Sequence, residues 1–583
     1  MKDLPWHTLV ELLQHRASAT PDALAYSFLG SKHEEQRCTY GELQARALAV
    51  AARLRGAVKE DDRVLVCHLP GLDYVAAFYG CLYAGAIAVP VYPPQYYKSF
   101  DRIRSIIDDA RPRAALTSAT IIAKLGAHVD TTAGSELDWI VTEDLAGAGG
   151  SATPVPRRRE AIAFLQYTSG STSEPKGVML SHANLLDNLR AIQANFHSHP
   201  RSVGCIWLPP YHDMGLIGGI LQPLYAGFPV YLMSPMAFVL RPAKWLEAIT
   251  RFRATISGGP NFAFDLCVAR IKPEQMHGLD LSSWEVAFCG AEPIRAATLE
   301  AFRARFEPVG LSSHALHPCY GLAEATLMVS ASKHAAPPVT QEVDGASLAA
   351  NVARPVAAFP GRILVGCGMV IDGTDVRVVN PQTLAVCAEG EIGEIWVAGP
   401  GVASGYWGRP EQSEATFGAH LASGAGPYLR TGDLGYLERG ELFVTGRLKD
   451  VIIVKGHNYY PQDIEHSVSA SHPGLRADGA VAFSVDQGGE ESLVIIQEVE
   501  PKLMTCELDQ VIPLIAKAVF ASCEIVPYDV LLVAKGSVAR TSSGKRQRQL
   551  MKQRYLAREL EALCRGRGSP LPIKESTVVD RGN

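Results

Sequence analysis

The sequence predicts an α/β protein of two or more domains with much parallel sheet. Three observations carry this. Apolar runs of strand length alternate with segments of helical apolar spacing through the first half of the chain, the order of βα units whose strands lie parallel. At 583 residues the chain exceeds the roughly 250–300 at which one hydrophobic core stops growing. Beyond GRLKD a fresh series of strands and helices begins, about a hundred residues long and so large enough for a domain of its own.

In chain order, Leu9 to Ser18 and Gly41 to Leu54 show helical spacing, and RVLVCHL (Arg63 to Leu69) is a buried strand. A helix with Tyr74, Ala77 and Phe78 on one face leads to Ala86–Pro94, a strand stopped by its prolines. RIRSIIDDARPRAALTS and LDWIVTEDL repeat the order of helix then strand, Gly150 to Glu160 forms a polar loop, and His182 to Phe196 is an amphipathic helix. Val286–Ile294 and His317–Thr326 each suggest strand, tight turn, helix, and Leu442 to Thr445 is a short strand with Arg447 just beyond it. The expected division is residues 1–447, a hinge at 448–450, a second domain at 451–566 and a disordered, proline-bearing tail at 567–583.

A net charge of -5 gives no general electrostatic case for nucleic acid or an anionic membrane. The twelve cysteines are scattered without a C-x-x-C pair or histidines at zinc spacing, which points to reduced core residues of a cytoplasmic protein. The N-terminus carries Asp3 and Glu11 where a signal peptide needs an unbroken apolar core, and no run reaches the length of a spanning helix.

The stretch YTSGSTSEPKG (Tyr167 to Gly177) lies between two apolar runs and gathers hydroxyls, glycines and one lysine. Backbone N–H groups and hydroxyls in such a turn can surround an anion, with Lys176 adding charge. It is not the P-loop of nucleotide triphosphatases, because Pro175 stands where the second glycine would be and Gly177 follows the lysine. The same composition suits an exposed Gly/Ser-rich hairpin, so the rest of the chain has to decide.

Further on, His212 and Asp213 form a polar turn between Pro-Pro and a glycine-rich apolar helix, and Gly258, Gly259 and Pro260 make a turn flanked by Phe262 and Phe264. These could wall an apolar pocket. Tyr320 offers a face for a base, and Glu324 a carboxylate for a divalent cation. Asp433, in a TGD turn, could accept from ribose hydroxyls, and Arg447 could donate to a sugar or phosphate. Lys545 follows a Ser/Gly loop in RTSSGK.

Together YTSGSTSEPKG, YHDMGL, CGAEP, YGLAEA, YLRTGD, GRLKD and RTSSGK, in this order, resemble the adenylate-forming superfamily of acyl-CoA synthetases, luciferases and peptide-synthetase adenylation domains. WLPPYHDMGLIGG, SGGPNFAFDL, HPCYGLAEAT, KGHNYYPQDIE and extra chain at about 331–365 resemble the fatty acyl-AMP ligases within it. The resemblance implies a large N-terminal domain and a small mobile α+β lid, with the active site at their junction. It places ATP phosphates on Thr168, Ser169, Gly170, Ser171, Thr172 and Lys176, and adenine among Gly290, Ala291, Glu292, Tyr320 and Gly321. It implies Mg²⁺ on Glu324 and ribose on Asp433 and Arg447. Lys545 would bridge the carboxylate and α-phosphate, and Lys449 and Asp450 would be the hinge. His212 is grouped with Lys545 and Glu324 nearest the chemistry. It would also line the acyl tunnel mouth with Met214, Gly215, Pro260, Asn261 and Phe262.

The implied activity is ATP-dependent conversion of a medium- or long-chain fatty acid to acyl-adenylate with release of pyrophosphate. The acyl group then passes to the phosphopantetheine thiol of a separate acyl-carrier protein in a lipid, polyketide or non-ribosomal peptide pathway. Long-chain acyl-CoA synthesis is the alternative, and an inactive acyl-nucleotide-binding protein a further one. The 331–365 insertion, with Phe359, Ile363 and Leu364 expected buried, would pack on the N-terminal domain and disfavour use of CoA. The Lys/Arg excess from Arg540 to Arg567, Arg548 and Arg554 included, suits a docking face for an acidic carrier.

Overall fold

A computed structural model describes residues 6–30, 34–94, 100–125, 137–145, 153–168, 175–356, 361–454, 457–487, 490–503, 508–523, 525–541 and 544–566. The chain forms two compact units. The smaller holds Gly446 onward with the short segment Ala346–Asn351, and the larger holds nearly all that precedes Thr445.

In the larger unit a six-stranded sheet has the spatial order Asp138–Val141, Ala114–Thr117, Arg63–Cys67, Ile87–Pro90, Ile162–Thr168, Lys176–Ser181. The first five run parallel and the last antiparallel. Ala114–Thr117 and Ile87–Pro90 are buried at every residue, as apolar strands covered on both faces are. A second, larger sheet contains a parallel run, Leu316–Tyr320, Val286–Cys289, Ile256–Gly259, Gly204–Ile206, Val230–Met233 and Leu24–Leu29. Beyond Leu316–Tyr320 it continues through Ser330–Ala331, Arg362–Val370, Glu441–Arg447, Leu429–Glu438, Gly393–Ala398 and Asp375–Val379. The main core packs Trp207, Trp245, Trp284, Phe264 and Phe302 against one another.

The helices form where expected, at Leu9–Ala19, Tyr40–Leu54, Leu72–Tyr83, Phe100–Ala110 and His182–Phe196. The last opens with a capping box: Ser181 Oγ accepts from Asn184 N, and Asn184 Oδ1 accepts from Ser181 N. The segment after His212 is also helical but wound as a π-helix, Met214–Leu221. Gly215 permits this, since a side chain there would stand 2.0 Å from the Pro209 carbonyl oxygen.

Three expectations are corrected. No α-helix follows Tyr320. Ala323–Ala325 is a 3₁₀ turn, and Thr326 (φ 69°, ψ -69°) turns the chain back with Leu327 N donating to Ala325 O at 2.9 Å. This is the strained positive-φ γ-turn. Tertiary contacts impose it: Asn188 Nδ2 donates to Met328 O, Asn188 Oδ1 accepts from Met328 N, and the Leu327 carbonyl fills the place a Gly321 side chain would need. After Val286–Cys289 the helix does not begin until Ala296, with Ala291 at φ 71° between them. In the insertion Thr340–Val343 pairs antiparallel with Arg362–Val365, and Tyr436 Oη donates to Gln341 Oε1 at 2.7 Å. Strand alternation there buries Leu364 but leaves Ile363 54% exposed. Phe359 lies outside the described residues.

The smaller unit has a four-stranded sheet, Leu475–Gln487, Glu490–Val499, Asp529–Val533 and Ala562–Gly566. Helices Pro461–Ala470 and Leu508–Cys523 contribute Ile464, Val468, Val511, Ile515 and Val519 to its core. The tail, residues 567–583, lies outside the described residues. Among the described residues no helix is long and apolar enough to cross a membrane, and the cysteines form no disulfide.

Three buried histidines of the larger unit set a pH dependence. Burial lowers His68 to about 4 against the pull of Asp73. Burial and then the Arg157 charge lower His182 to about 3, and burial, with His334 and His197 adding to it, lowers His317 to about 3. The unfolded chain takes up these protons near pH 6.5 and the fold does not until about pH 4 to 3, so their contribution is complete above about 6.5 and is lost as pH falls toward 3. The melting temperature should drop across that window. His182→Asn, which keeps an acceptor for Leu9 N, should flatten the slope; an unchanged slope would contradict this origin.

Candidate active site

Thr168 and Lys176 close the stem of the hairpin formed by Ile162–Thr168 and Lys176–Ser181, paired directly opposite each other. Ser169, Gly170, Ser171 and Thr172 lie outside the described residues. Tyr167 anchors the stem. Its hydroxyl donates to Asp109 Oδ2 at 2.6 Å, and Asp109 also takes Arg409 at 3.0 Å. Burial, reinforced by the Asp109 carboxylate, pushes the phenol far above its ordinary pKa, so it stays a donor.

The segment Ser404–Arg409 lies along the outer edge of Lys176–Ser181. Met179 N donates to Gly405 O at 2.9 Å, Ser404 N to Met179 O at 3.3 Å and Trp407 N to Gly177 O at 2.8 Å. That pairing seats Tyr406 with its ring 4.9 Å from Lys176 Nζ and its hydroxyl donating to Glu324 Oε1 at 3.0 Å. Lys176 and Glu324, 148 positions apart in the sequence, therefore meet across one tyrosine. The sequence reading did not single out Tyr406. Nor did it single out Asn184 and Asn188, whose amides hold Pro400 O, Val402 O and the Met328 backbone. Buried asparagines one turn apart on an otherwise apolar helix face were the available signal.

Candidate nucleotide residues gather at the carboxyl ends of the parallel strands, where α/β sheets bind ligands. Gly290 follows Val286–Cys289, and a side chain there would stand 2.8 Å from Cys319 O. Glu292 lies in the loop beyond. Asn261 straps that loop, donating to Pro293 O at 2.9 Å and accepting from Arg295 N at 3.1 Å. Its amide thus positions backbone of the loop expected to receive adenine, besides standing at the expected acyl wall. Tyr320 Oη donates to Asp433 Oδ2 at 2.9 Å, and both residues are buried. The turn carrying Asp433 is built on Glu394, a 2% exposed carboxylate that sequence reasoning missed. Glu394 accepts from Gly432 N at 3.1 Å, from Trp396 Nε1 at 3.0 Å and from Arg430 at 2.7 and 3.0 Å. Thr431 Oγ1 accepts from Asp433 N at 3.0 Å.

On the expected acyl side, His212 and Met214 are half-buried and Gly215 and Pro260 buried. Asp213 Oδ1 accepts from Met214 N at 2.7 Å, opening the π-helix. Phe262 meets Trp207 edge-on at 5.7 Å, and Trp207 stacks on Phe238 at 4.1 Å. This wall is apolar and aromatic.

Lys545 and Arg447 belong to the smaller unit, and both are exposed. Thr541 N donates to Lys545 O and Lys545 N to Thr541 Oγ1, at 2.7 and 3.1 Å, which closes a tight turn ahead of Lys545. Arg546 and Arg548 then grip buried Glu465, at 3.1 and 2.7 Å. Burial alone would raise Glu465, yet the two guanidiniums hold it below the usual range. Arg548 also reaches Asp450 at 3.2 Å, and Gln549 donates to Lys449 O. This corrects the docking-face expectation for Arg548 alone: its side chain is only 19% exposed and serves an internal ion-pair network.

Strand-end loops that hold a lysine, a carboxylate and a buried tyrosine–aspartate pair, on two sheets followed by a small α+β unit, define an adenylate-forming enzyme. The AMP-binding enzyme family matches residues 13–407, and a family described as Disco-interacting protein 2-like, AMP domain, matches residues 449–564. The medium-chain-fatty-acid–[acyl-carrier-protein] ligase JamA of Moorena producens is 42% identical, over 95% of this chain and 96% of its own. The long-chain-fatty-acid–AMP ligase FadD26 of Mycobacterium tuberculosis is 39% identical, over 93% and 96%. A crystal structure of a fatty acyl-adenylate ligase from Legionella pneumophila, in complex with acyl adenylate and pyrophosphate, superposes with a TM-score of 0.75 at 38% identity, covering 97% of this chain and 99% of that one. The chain belongs to the AMP-binding enzyme family, in its fatty acyl-AMP ligase branch.

The Glu394 hub makes a prediction. Glu394→Gln cannot accept from all four donors, and weakening one charged hydrogen bond corresponds to about tenfold. The KM for ATP should rise about tenfold while that for fatty acid changes far less. An ATP KM within about twofold of wild type would show that the TGD turn does not depend on Glu394.

Proposed function

We propose that this enzyme converts a medium- or long-chain fatty acid and ATP to acyl-adenylate and pyrophosphate, then transfers the acyl group to the phosphopantetheine thiol of a separate acyl-carrier protein. The observation that carries the reading is the convergence of Lys176, Glu324 and the Tyr320–Asp433 pair at strand ends, in a chain alike along nearly its full length to ligases named for fatty acids, AMP and acyl-carrier protein.

The fatty carboxylate attacks the α-phosphorus and pyrophosphate leaves, so the acid needs no base: it is already ionised near neutral pH. The difficulty is bringing an anion to an anion, which alignment and preplaced cations overcome. Thr168 and Lys176, with Ser169, Gly170, Ser171 and Thr172, hold the departing phosphates. Tyr320 and the loop from Gly290 to Glu292, with Gly321, receive adenine, and Asp433 and Arg447 the ribose. Lys545 neutralises charge on the carboxylate and α-phosphate oxygens. His212, Met214, Gly215, Pro260, Asn261 and Phe262 line the acyl entrance.

Glu324 would hold Mg²⁺, which supplies positive charge to the phosphates. The site fits such an ion: the Glu324 carboxylate, held by Tyr406 close to Lys176, is a single hard oxygen donor beside a phosphate grip, which suits Mg²⁺ because the ion keeps water and substrate oxygens as its other ligands.

Incubation with ATP, Mg²⁺ and a fatty-acid series, with either CoA or a phosphopantetheinylated carrier, should give acyl-AMP and then acyl-carrier by mass. Acyl-CoA as the main product would replace this reading with that of an acyl-CoA synthetase. Lys545→Ala should lower acyl-AMP formation by several orders of magnitude with the melting temperature unchanged, and near-normal formation would reject its role.

A further inference from the structure

Tyr406 touches both charged candidates at once. Its hydroxyl donates to Glu324 Oε1 at 3.0 Å, and its ring faces Lys176 Nζ at 4.9 Å from the centroid. The side chain is 7% exposed and held from several directions. Its N–H donates to Ser413 Oγ at 2.9 Å, and its ring meets Phe417 edge-on at 5.2 Å. Its neighbours Gly405 and Trp407 are bonded to Met179 and Gly177. The same strap fixes the other end of the contact. Ala403 N donates to Glu324 O at 2.9 Å, and Thr326 Oγ1 donates to Gly401 O at 2.6 Å from within the strained turn just after Glu324.

A carboxylate and an ammonium in a half-buried site attract strongly enough to neutralise each other, which would leave neither available to a phosphate-bound cation or a phosphate. Tyr406 contacts both with a neutral side chain. It gives one carboxylate oxygen a neutral donor and offers the ammonium a π face, so one neutral side chain orients both charged groups. We propose that Tyr406 is a positioning residue that couples the metal-binding carboxylate to the phosphate-binding lysine, its hydroxyl orienting Glu324 and its ring orienting Lys176. The inference rests on the roles given above to those two residues.

Substitution separates the two contacts. Tyr406→Phe keeps the ring and loses the hydroxyl; Tyr406→Leu loses both. In the full-length protein, binding of a fluorescent ATP analogue is titrated with Mg²⁺ alone, without turnover, beside Glu324→Gln and wild type. Tyr406→Phe should raise the Mg²⁺ midpoint about tenfold and leave metal-free nucleotide affinity unchanged. Tyr406→Leu should in addition weaken metal-free affinity several-fold, and melting temperatures report folding of each variant. If Glu324→Gln shifts the midpoint and Tyr406→Phe does not, the coupling is overturned while the role of Glu324 stands. If Glu324→Gln leaves the midpoint unmoved, the metal role of Glu324 fails and the coupling with it. A loss of metal-free affinity in Tyr406→Phe equal to that in Tyr406→Leu would overturn the division of labour between hydroxyl and ring.

Discussion

Three backbone hydrogen bonds between Ser404–Trp407 and Gly177–Met179 are what the rest of the larger unit's site depends on. Lys176–Ser181 ends the six-stranded sheet, and an uncovered edge strand presents unpaired N–H and carbonyl groups. The strap covers that edge, and the same run of chain reaches the second sheet: Gly401 and Ala403 hold the turn that bears Glu324. Asn184, one turn into the helix that follows Ser181, fixes Pro400 and Val402. Sheet edge, helix start and the turn bearing Glu324 are therefore one hydrogen-bonded assembly, which accounts for the γ-turn at Thr326 being held against its strain.

That rigidity serves the chemistry. Joining a carboxylate to a phosphate requires charges in place before the reactants arrive, because cations that had to reorganise during the reaction would return part of their stabilisation. Each charged candidate is accordingly held by neighbours that do not themselves react. Tyr406 holds Glu324 and faces Lys176, Glu394 with Tyr320 and Thr431 holds Asp433, and Arg546 beside Glu465 holds the turn of Lys545. The buried carboxylates Glu394 and Glu465 are each bound to guanidinium groups, as buried charge requires.

Much of this was legible in the sequence. The parallel sheet showed in the alternation of Arg63–Leu69 and Ala86–Pro94 with helical segments, because local spacing governs short buried strands. The two strands of the hairpin Ile162–Thr168 and Lys176–Ser181 showed in the apolar runs that bracket YTSGSTSEPKG. What stayed hidden is set by partners distant in sequence. YGLAEAT has the local pattern of a helix start, yet Asn188 and Gly401 force a turn on it. Tyr406 looks like any aromatic beside glycine until Met179 pairs with its neighbour. Arg548 sits in a basic run that suggests a solvated face, and only the fold shows Glu465 beneath it. Glu394 occupies a strand otherwise apolar, and a lone carboxylate at a buried position was a signal that went unused.

The central claim is that this chain forms an acyl-adenylate reversibly with pyrophosphate release. Exchange of labelled pyrophosphate into ATP tests it most directly, since it needs neither carrier nor thiol. The account predicts exchange that requires both Mg²⁺ and a fatty acid of medium or long chain and that collapses in Glu324→Gln. Exchange absent with every fatty acid tried, or equally fast without any, would contradict it.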